Sequence, residues 1–509
     1  VLLAGLAAVP AAGPSLLATK LDEVIDGPDY RSSTWGVLVV DAKTGTPVYS
    51  RNPDTLLAPA SVTKLFTCAA ALTALGPDRT FETAVYARGP IDGGILRGDL
   101  VLVAGGDLTL GGRTTKDGRV VFRDRDHTYA NSGLMEAELT DTDPLAGIDA
   151  LAKQVKAAGV RQVDGEVLID ERLFARTRTS GSGPEAATAI VVNDNVIDVV
   201  VEPAPLSGAP AKVTLRPQTA FVQLDALVGT GPADTPTAVQ IHPVGPNQIV
   251  VRGRIARASK PVVRIYPVDD PALFARAVFI ESLRRNGVAA VAPVARQIGF
   301  NLPDRDAYSR LPKVATFTSP PLKDVVHVTL KVSHNLYAST LPSLLAAAKG
   351  HTTAEAGMRE QRAVLKEIGV DVKAVSFGGG AGGAPADHVT PRATIQLLQG
   401  MSKRPEWAAF RDGLPVLGVD GTLVDAVKPD NPARGKAAAK TGTLIWYDAV
   451  NDRYFLKSKA LAGVLTTKAG TELHFAMFVN NVPVPRDVGA SREGKVLGRL
   501  CELLYEHGP

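Results

Sequence analysis

The sequence predicts an α+β protein in which one discontinuous unit is interrupted by a large β-rich insertion. Three observations carry this. The motifs Ser61-Val62-Thr63-Lys64 and Ser333-His334-Asn335 lie 272 positions apart, whereas Lys440-Thr441-Gly442-Thr443 follows Ser333 after only 107. Residues 86–265 carry short strand-like runs punctuated by Gly and Pro. Helical periodicity then returns after Asp270. A chain of 509 residues is long enough for more than one domain.

The elements follow in order. Residues 1–14 are apolar, uncharged and Ala-rich, like the hydrophobic stretch and cleavage zone of a secretory signal without its basic start, so export is expected. Gly36-Val37-Leu38-Val39-Val40 and Pro47-Val48-Tyr49-Ser50 read as a hairpin around a Thr-Gly turn. Ser61 opens a helix: Leu65, Phe66, Cys68, Ala69 and Leu72 recur at helical spacing until Gly76-Pro77 stops them. Inside the insertion, Gly165-Glu166-Val167-Leu168-Ile169-Asp170, Ala211-Lys212-Val213-Thr214-Leu215 and Gln248-Ile249-Val250-Val251-Arg252 are strand candidates, and residues 144–158 a helix. Residues 110–140, rich in charged and polar groups, read as extra sequence within it. Further helices are expected over 271–286 and from Asn335 onward, where Pro342 should kink the helix or end its first half. Trp446, Tyr447, Tyr454 and Phe455 around Asn451-Asp452 suggest an extended hairpin, a sheet edge packed by its own aromatics more readily than a substrate platform. Cys68 and Cys501 each fall on an apolar helix, which favours two buried free thiols over a disulfide.

The motifs carry chemistry because of what their residue types do together. A lysine one turn after a serine shares its helix face. Among apolar neighbours the lysine's charge is poorly solvated, its pKa falls, and it can act as a base near neutrality. Each motif alone is weak, since a serine three residues before a lysine arises by chance about once or twice in a chain this long. Decoys exist too: Lys43-Thr44-Gly45-Thr46 and Ser50-Arg51-Asn52 copy the third and second motifs, but both sit in the hairpin upstream of Ser61. A lysine at a hairpin tip is ordinarily a solvated turn residue. Order and surroundings therefore favour the downstream set.

That order is the one found in the penicillin-recognising serine acyltransferases. A single-domain β-lactamase cannot hold 272 residues between its first two motifs. The chain resembles the D-alanyl-D-alanine carboxypeptidase/endopeptidase family of class C low-molecular-mass penicillin-binding proteins (peptidase family S13), whose members carry a large insertion there. Further segments share the resemblance: Gly98-Asp99-Leu100-Val101-Leu102-Val103-Ala104-Gly105-Gly106-Asp107, Val192-Asn193-Asp194-Asn195-Val196, Thr390-Pro391-Arg392 and Leu414-Pro415-Val416-Leu417-Gly418-Val419-Asp420-Gly421-Thr422-Leu423. Residues 377–385 depart from the family pattern, with Gly and Ala where members have polar side chains, which suggests a tight, close-packed turn near the site.

The resemblance implies a penicillin-binding, serine β-lactamase-like fold of helices around an antiparallel sheet, built from residues 15–85 and 266–509, with 86–265 as a β-rich insertion. It implies hydrolysis of peptidoglycan stem peptides and inhibition by β-lactams, with no cofactor and no metal. Ser61 would be the nucleophile and Lys64 its base. Ser333 and Lys440 would pass the proton to the leaving amine, Asn335 would hold the substrate's amide, and Thr441, Gly442 and Thr443 would form the substrate-binding strand. His334, between two working residues, should point away from them. Because every such group lies outside 86–265, removing the insertion should leave acylation possible. A β-lactamase or esterase on the same fold, or a non-catalytic envelope-binding protein, is the alternative reading. Composition narrows the rest. A net charge of +4 with scattered basic residues gives little support to nucleic-acid binding. No stretch approaches a membrane span, the eight histidines show no metal spacing, and no glycine-rich phosphate loop is present.

Overall fold

A computed structural model describes residues 15–132, 136–294, 301–489 and 491–509; the expected signal remnant, residues 1–14, lies outside them. Its centre is a five-stranded antiparallel sheet in the order Pro47–Arg51, Thr34–Asp41, Glu472–Pro485, Arg453–Thr466, Ala437–Asp448. The central strands are apolar at nearly every position because both faces are covered. Val37, Val39, Phe475 and Met477 point to one face, against Leu17, Leu21, Leu500 and Leu504 of the helices Leu16–Ile25 and Ser491–His507. Leu38, Val40, Ala476 and Phe478, one position out of step, join the larger core that holds the helix Thr63–Leu75.

The expected hairpin is present, with Val37 opposite Arg51 and Val39 opposite Tyr49. Its tip holds the decoy motif, where Asp41 accepts N–H bonds from Lys43 and Thr44 in an exposed Asx-type turn. Both cysteines are buried and free, and burial pushes each thiol up to about 12. The aromatic segment extends the sheet, Trp446 and Tyr447 pairing with Phe455 and Tyr454, which pair in turn with Pro483 and Val484, and Tyr447 and Tyr454 lie edge to face. Pro342 does not end its helix, which runs Asn335–Ala348. Among the described residues no helix is long and apolar enough to cross a membrane.

The limits of the insertion differ from those expected. Strand Glu82–Arg88 pairs with both Asp99–Val103 and Lys313–Thr318, inside a four-stranded sheet completed by Val167–Asp170. Helix Pro271–Arg285, capped by the Asp270 side chain, packs on Ala146–Ala157 and on Val167–Asp170. Ala289–Ala290 pairs with Gln162–Val163. The strand pairings therefore close over residues 82–318, with Ala289–Ala290 and Lys313–Thr318 paired to strands of the inserted segment. The physical reason is plain: helical periodicity identifies a helix and its buried face, not the element that covers it. Two three-stranded sheets complete the segment, one centred on Val196–Glu202 and the other on Gln248–Ala256.

Candidate active site

Ser61 lies in a 3₁₀ turn, Ala60–Val62, that runs directly into the α-helix Thr63–Leu75, so it precedes the α-helix rather than occupying its first turn. Lys64 remains on the same side. Its Nζ is 2.8 Å from each of three oxygens: Ser61 Oγ, Asn335 Oδ1 and the carbonyl of Ala381. Two of these accept only, and a neutral amine has two N–H bonds and one lone pair. Donating to Asn335 and Ala381 leaves the lone pair facing the Ser61 hydroxyl. Lys64 is fully buried, and this burial lowers its pKa to about 7. The arrangement can take a proton from Ser61 at neutral pH.

The glycine-rich stretch forms the roof over this pair. Thr67 on the nucleophile helix donates to the Gly380 carbonyl, and Ala381 supplies its carbonyl to Lys64. The buried Asp387 carboxylate closes the loop by accepting from Gly378 and Ala384 N–H. Gly382 has φ +91°, and a Cβ there would stand 1.9 Å from the Ala60 carbonyl. The loop does its work through backbone carbonyls, which is why losing polar side chains does not remove it from the site.

Ser333, at the left-handed φ of +63°, turns the chain between helix Leu322–Lys331 and helix Asn335–Ala348. His334 does point away: its ring stacks on Tyr337 and its Nε2 lies 3.4 Å from Asp194. The strand Ala437–Asp448 brings the third motif against the Ser61 turn. A Cβ at Gly442 would meet the Pro59 carbonyl at 2.5 Å, so only glycine allows that approach. Lys440 is fully buried. Burial, then the nearby Lys64, hold its pKa well below the usual lysine range. Its Nζ donates to the Thr441 carbonyl; among the described residues, no hydrogen bond joins it to Ser333. Thr441 Oγ1 donates to Thr422 Oγ1 at 2.8 Å, within the Leu414–Leu423 segment noted in the sequence.

The inserted segment reaches into this constellation, contrary to the expectation that it holds no group of the site. Tyr129 donates its hydroxyl to the Ser333 carbonyl at 2.6 Å, and Asn335 Nδ2 donates to the Ser182 carbonyl at 3.1 Å. Asp124 accepts from Gly421 N–H at 2.6 Å. Behind them lies a buried ionic array. Arg113 pairs with Asp126 and Asp194, and His127 bridges Asp194 and Asp198, which also receives Arg216. Burial opposes a charge on His127, but the Asp198 and Asp194 carboxylates outweigh it and raise its pKa to about 10. Three cations then face three carboxylates. Removing one partner from a buried pair of this kind costs about 3–5 kcal/mol. Tyr337, on the Asn335 helix, donates its hydroxyl to Asp194, which ties the array to the second motif.

A family model for the D-Ala-D-Ala carboxypeptidase 3 (S13) family matches residues 17–497. The chain belongs to this family. Its members are serine hydrolases, so the chain is an enzyme of the serine D-Ala-D-Ala carboxypeptidase, penicillin-binding type. A D-alanyl-D-alanine carboxypeptidase from Actinomadura sp. is 30% identical over 463 residues, covering 86% of this chain and 78% of that one. The D-alanyl-D-alanine carboxypeptidase DacB of Haemophilus influenzae is 23% identical over 446 residues, covering 84% and 81%. Penicillin binding protein 4 from Haemophilus influenzae superposes with a TM-score of 0.69 at 20% identity, covering 96% of this chain and 99% of that one. The fold of penicillin binding protein 4 is thus shared over nearly the whole chain, and it is of the α+β class.

Proposed function

We propose that Ser61 is the acylated nucleophile of a D-Ala-D-Ala carboxypeptidase that acts on peptidoglycan stem peptides outside the cytoplasm. The observation that carries this reading is the Lys64 amine, held 2.8 Å from Ser61 Oγ by two acceptors that use up its donors. Ser61 Oγ attacks the carbonyl of the penultimate D-alanine while Lys64 takes its proton. Ser333 and Lys440 return a proton to the departing D-alanine amine. Asn335 holds the substrate's amide, Thr441 and Thr443 its terminal carboxylate, and the N–H groups of Ser61 and Thr443 the oxyanion. Water then releases the acyl group. Residues 82–318 act as an accessory wall of the cleft. The test is incubation with purified muropeptides and identification of products by mass spectrometry. Loss of a single terminal D-alanine supports the reading, cleavage of cross-links would extend it to endopeptidase action, and unchanged muropeptides would sink it.

Lys64 must be neutral to accept the Ser61 proton, so the second-order acylation rate should rise with pH and level off above about 7. A penicillin acylation profile that falls over the same interval would rule out Lys64 as the base. Lys440→Ala should slow acylation roughly 30- to 1,000-fold, about 2–4 kcal/mol of transition-state stabilisation. Lys43→Ala, at the exposed hairpin tip, should leave the rate unchanged. Equal damage from both, in variants that melt like the parent, would contradict the choice of motif copy.

A further inference from the structure

We propose that Lys459 makes the site specific for substrates ending in a free carboxylate, acting through Thr443; this rests on the reading of Thr441 and Thr443 as the carboxylate-holding pair. Strand Arg453–Thr466 places Lys459 directly across from Thr443, and Lys459 Nζ donates to Thr443 Oγ1 at 2.9 Å. An ammonium has donors only. Thr443 Oγ1 therefore accepts from Lys459 and its own hydroxyl proton is left to donate elsewhere. A charge-assisted bond of this kind polarises the hydroxyl and strengthens what it donates next.

The ammonium is not spent on a nearby acid. Among the described residues it makes no ion pair, and Glu493, the carboxylate that acts on it electrostatically, is engaged by Arg492 at 2.6 Å. The Lys459 side chain is half-buried, and burial lowers its pKa to about 8, which leaves it mostly charged at neutral pH. Thr441 and Thr443 lie two apart on the strand and so share a face. Lys440 projects to the other face and donates a hydrogen bond to the Thr441 carbonyl. Lys459 is thus the cation one hydroxyl behind the carboxylate position, and it favours a carboxylate there over a neutral carboxamide.

The test uses two N-acylated D-Ala-D-Ala peptides that differ only in the C-terminus, one a free carboxylate and one a carboxamide. Wild type should cleave the carboxylate peptide with the higher kcat/KM. Lys459→Met should lower kcat/KM for the carboxylate peptide about 10- to 100-fold and barely change it for the carboxamide, and Lys459→Arg should restore the preference. In wild type the preference should also fade as pH rises through about 8, whereas in Lys459→Arg it should persist. Retention of the full preference by a cooperatively folded Lys459→Met, or an equal loss on both peptides, overturns the proposal. A wild type with no preference overturns the Thr441 and Thr443 reading itself, a result distinguishable because it appears before any substitution.

Discussion

Replacing Ser61 by alanine should abolish covalent attachment of a labelled penicillin and, with it, peptide hydrolysis. Loss of a nucleophile that acts as a unit with its base costs on the order of 10⁴-fold or more. No second serine offers a substitute. Ser333 is buried, its carbonyl is held by Tyr129, and among the described residues its hydroxyl meets no lysine amine. Ser50 lies on the outer strand of the hairpin, paired with Leu38. Ser61→Ala leaves the buried Lys64 with both its other acceptors, so the fold should survive, which thermal melting checks. Mass spectrometry of the penicillin adduct in wild type should find it on the peptide holding Ser61. An adduct on Ser333 or Ser50, or persistent labelling of Ser61→Ala, would overturn the assignment.

Excision of residues 82–318, with the ends joined by a short flexible linker, should also abolish acylation, now for a geometric reason. The main unit keeps Ser61, Lys64, Ser333 and Lys440, but Ser333 loses the Tyr129 hydroxyl and Asn335 loses its Ser182 acceptor. Asn335 is one of the two acceptors that orient the Lys64 amine, so freedom gained there reaches the base. A misplacement of about 1 Å can cost about 100-fold. The narrower variant Tyr129→Phe keeps the insertion and removes one hydrogen bond, and should slow penicillin acylation about 10-fold. A soluble excision variant that melts cooperatively and still acylates at the parent rate would show that the wall is dispensable.

Much of the site was legible because its chemistry demands particular side chains at particular spacings. Lys64 is hydrogen-bonded to both Ser61 and Asn335, and Lys440 lies close enough to Lys64 for the two to act on each other electrostatically. The hairpin and the buried thiols followed from alternation and apolar periodicity. What stayed hidden acts through groups that leave no mark in a sequence. Ala381 and Ser182 contribute backbone carbonyls, which every residue owns. Tyr129 sits in a segment read only as extra charged sequence within the insertion, yet Arg113, Asp126 and His127 there are buried because each finds an opposite charge. Which strands pair with which was not legible either, because Phe274, Val278 and Leu283 signal a buried helix face but not what buries it.

The central sheet joins strands far apart in the chain, and this sets an order on folding. Thr34–Asp41 is synthesised long before its neighbour Glu472–Pro485, and Ser33 reaches Asn481 across 448 positions. Until Glu472–Pro485 exists, Thr34–Asp41 has a free edge and an uncovered face. Residues 82–318 have no such wait, since their pairings are internal and their first and last strands lie side by side. They can fold while the rest of the chain is still unfinished and draw the Ser61 helix and the Asn335 helix to the same place, shortening the loop that remains to be closed. The segment whose Tyr129 and Ser182 hold Ser333 and Asn335 in the finished molecule would, on that route, also be the template on which they come together.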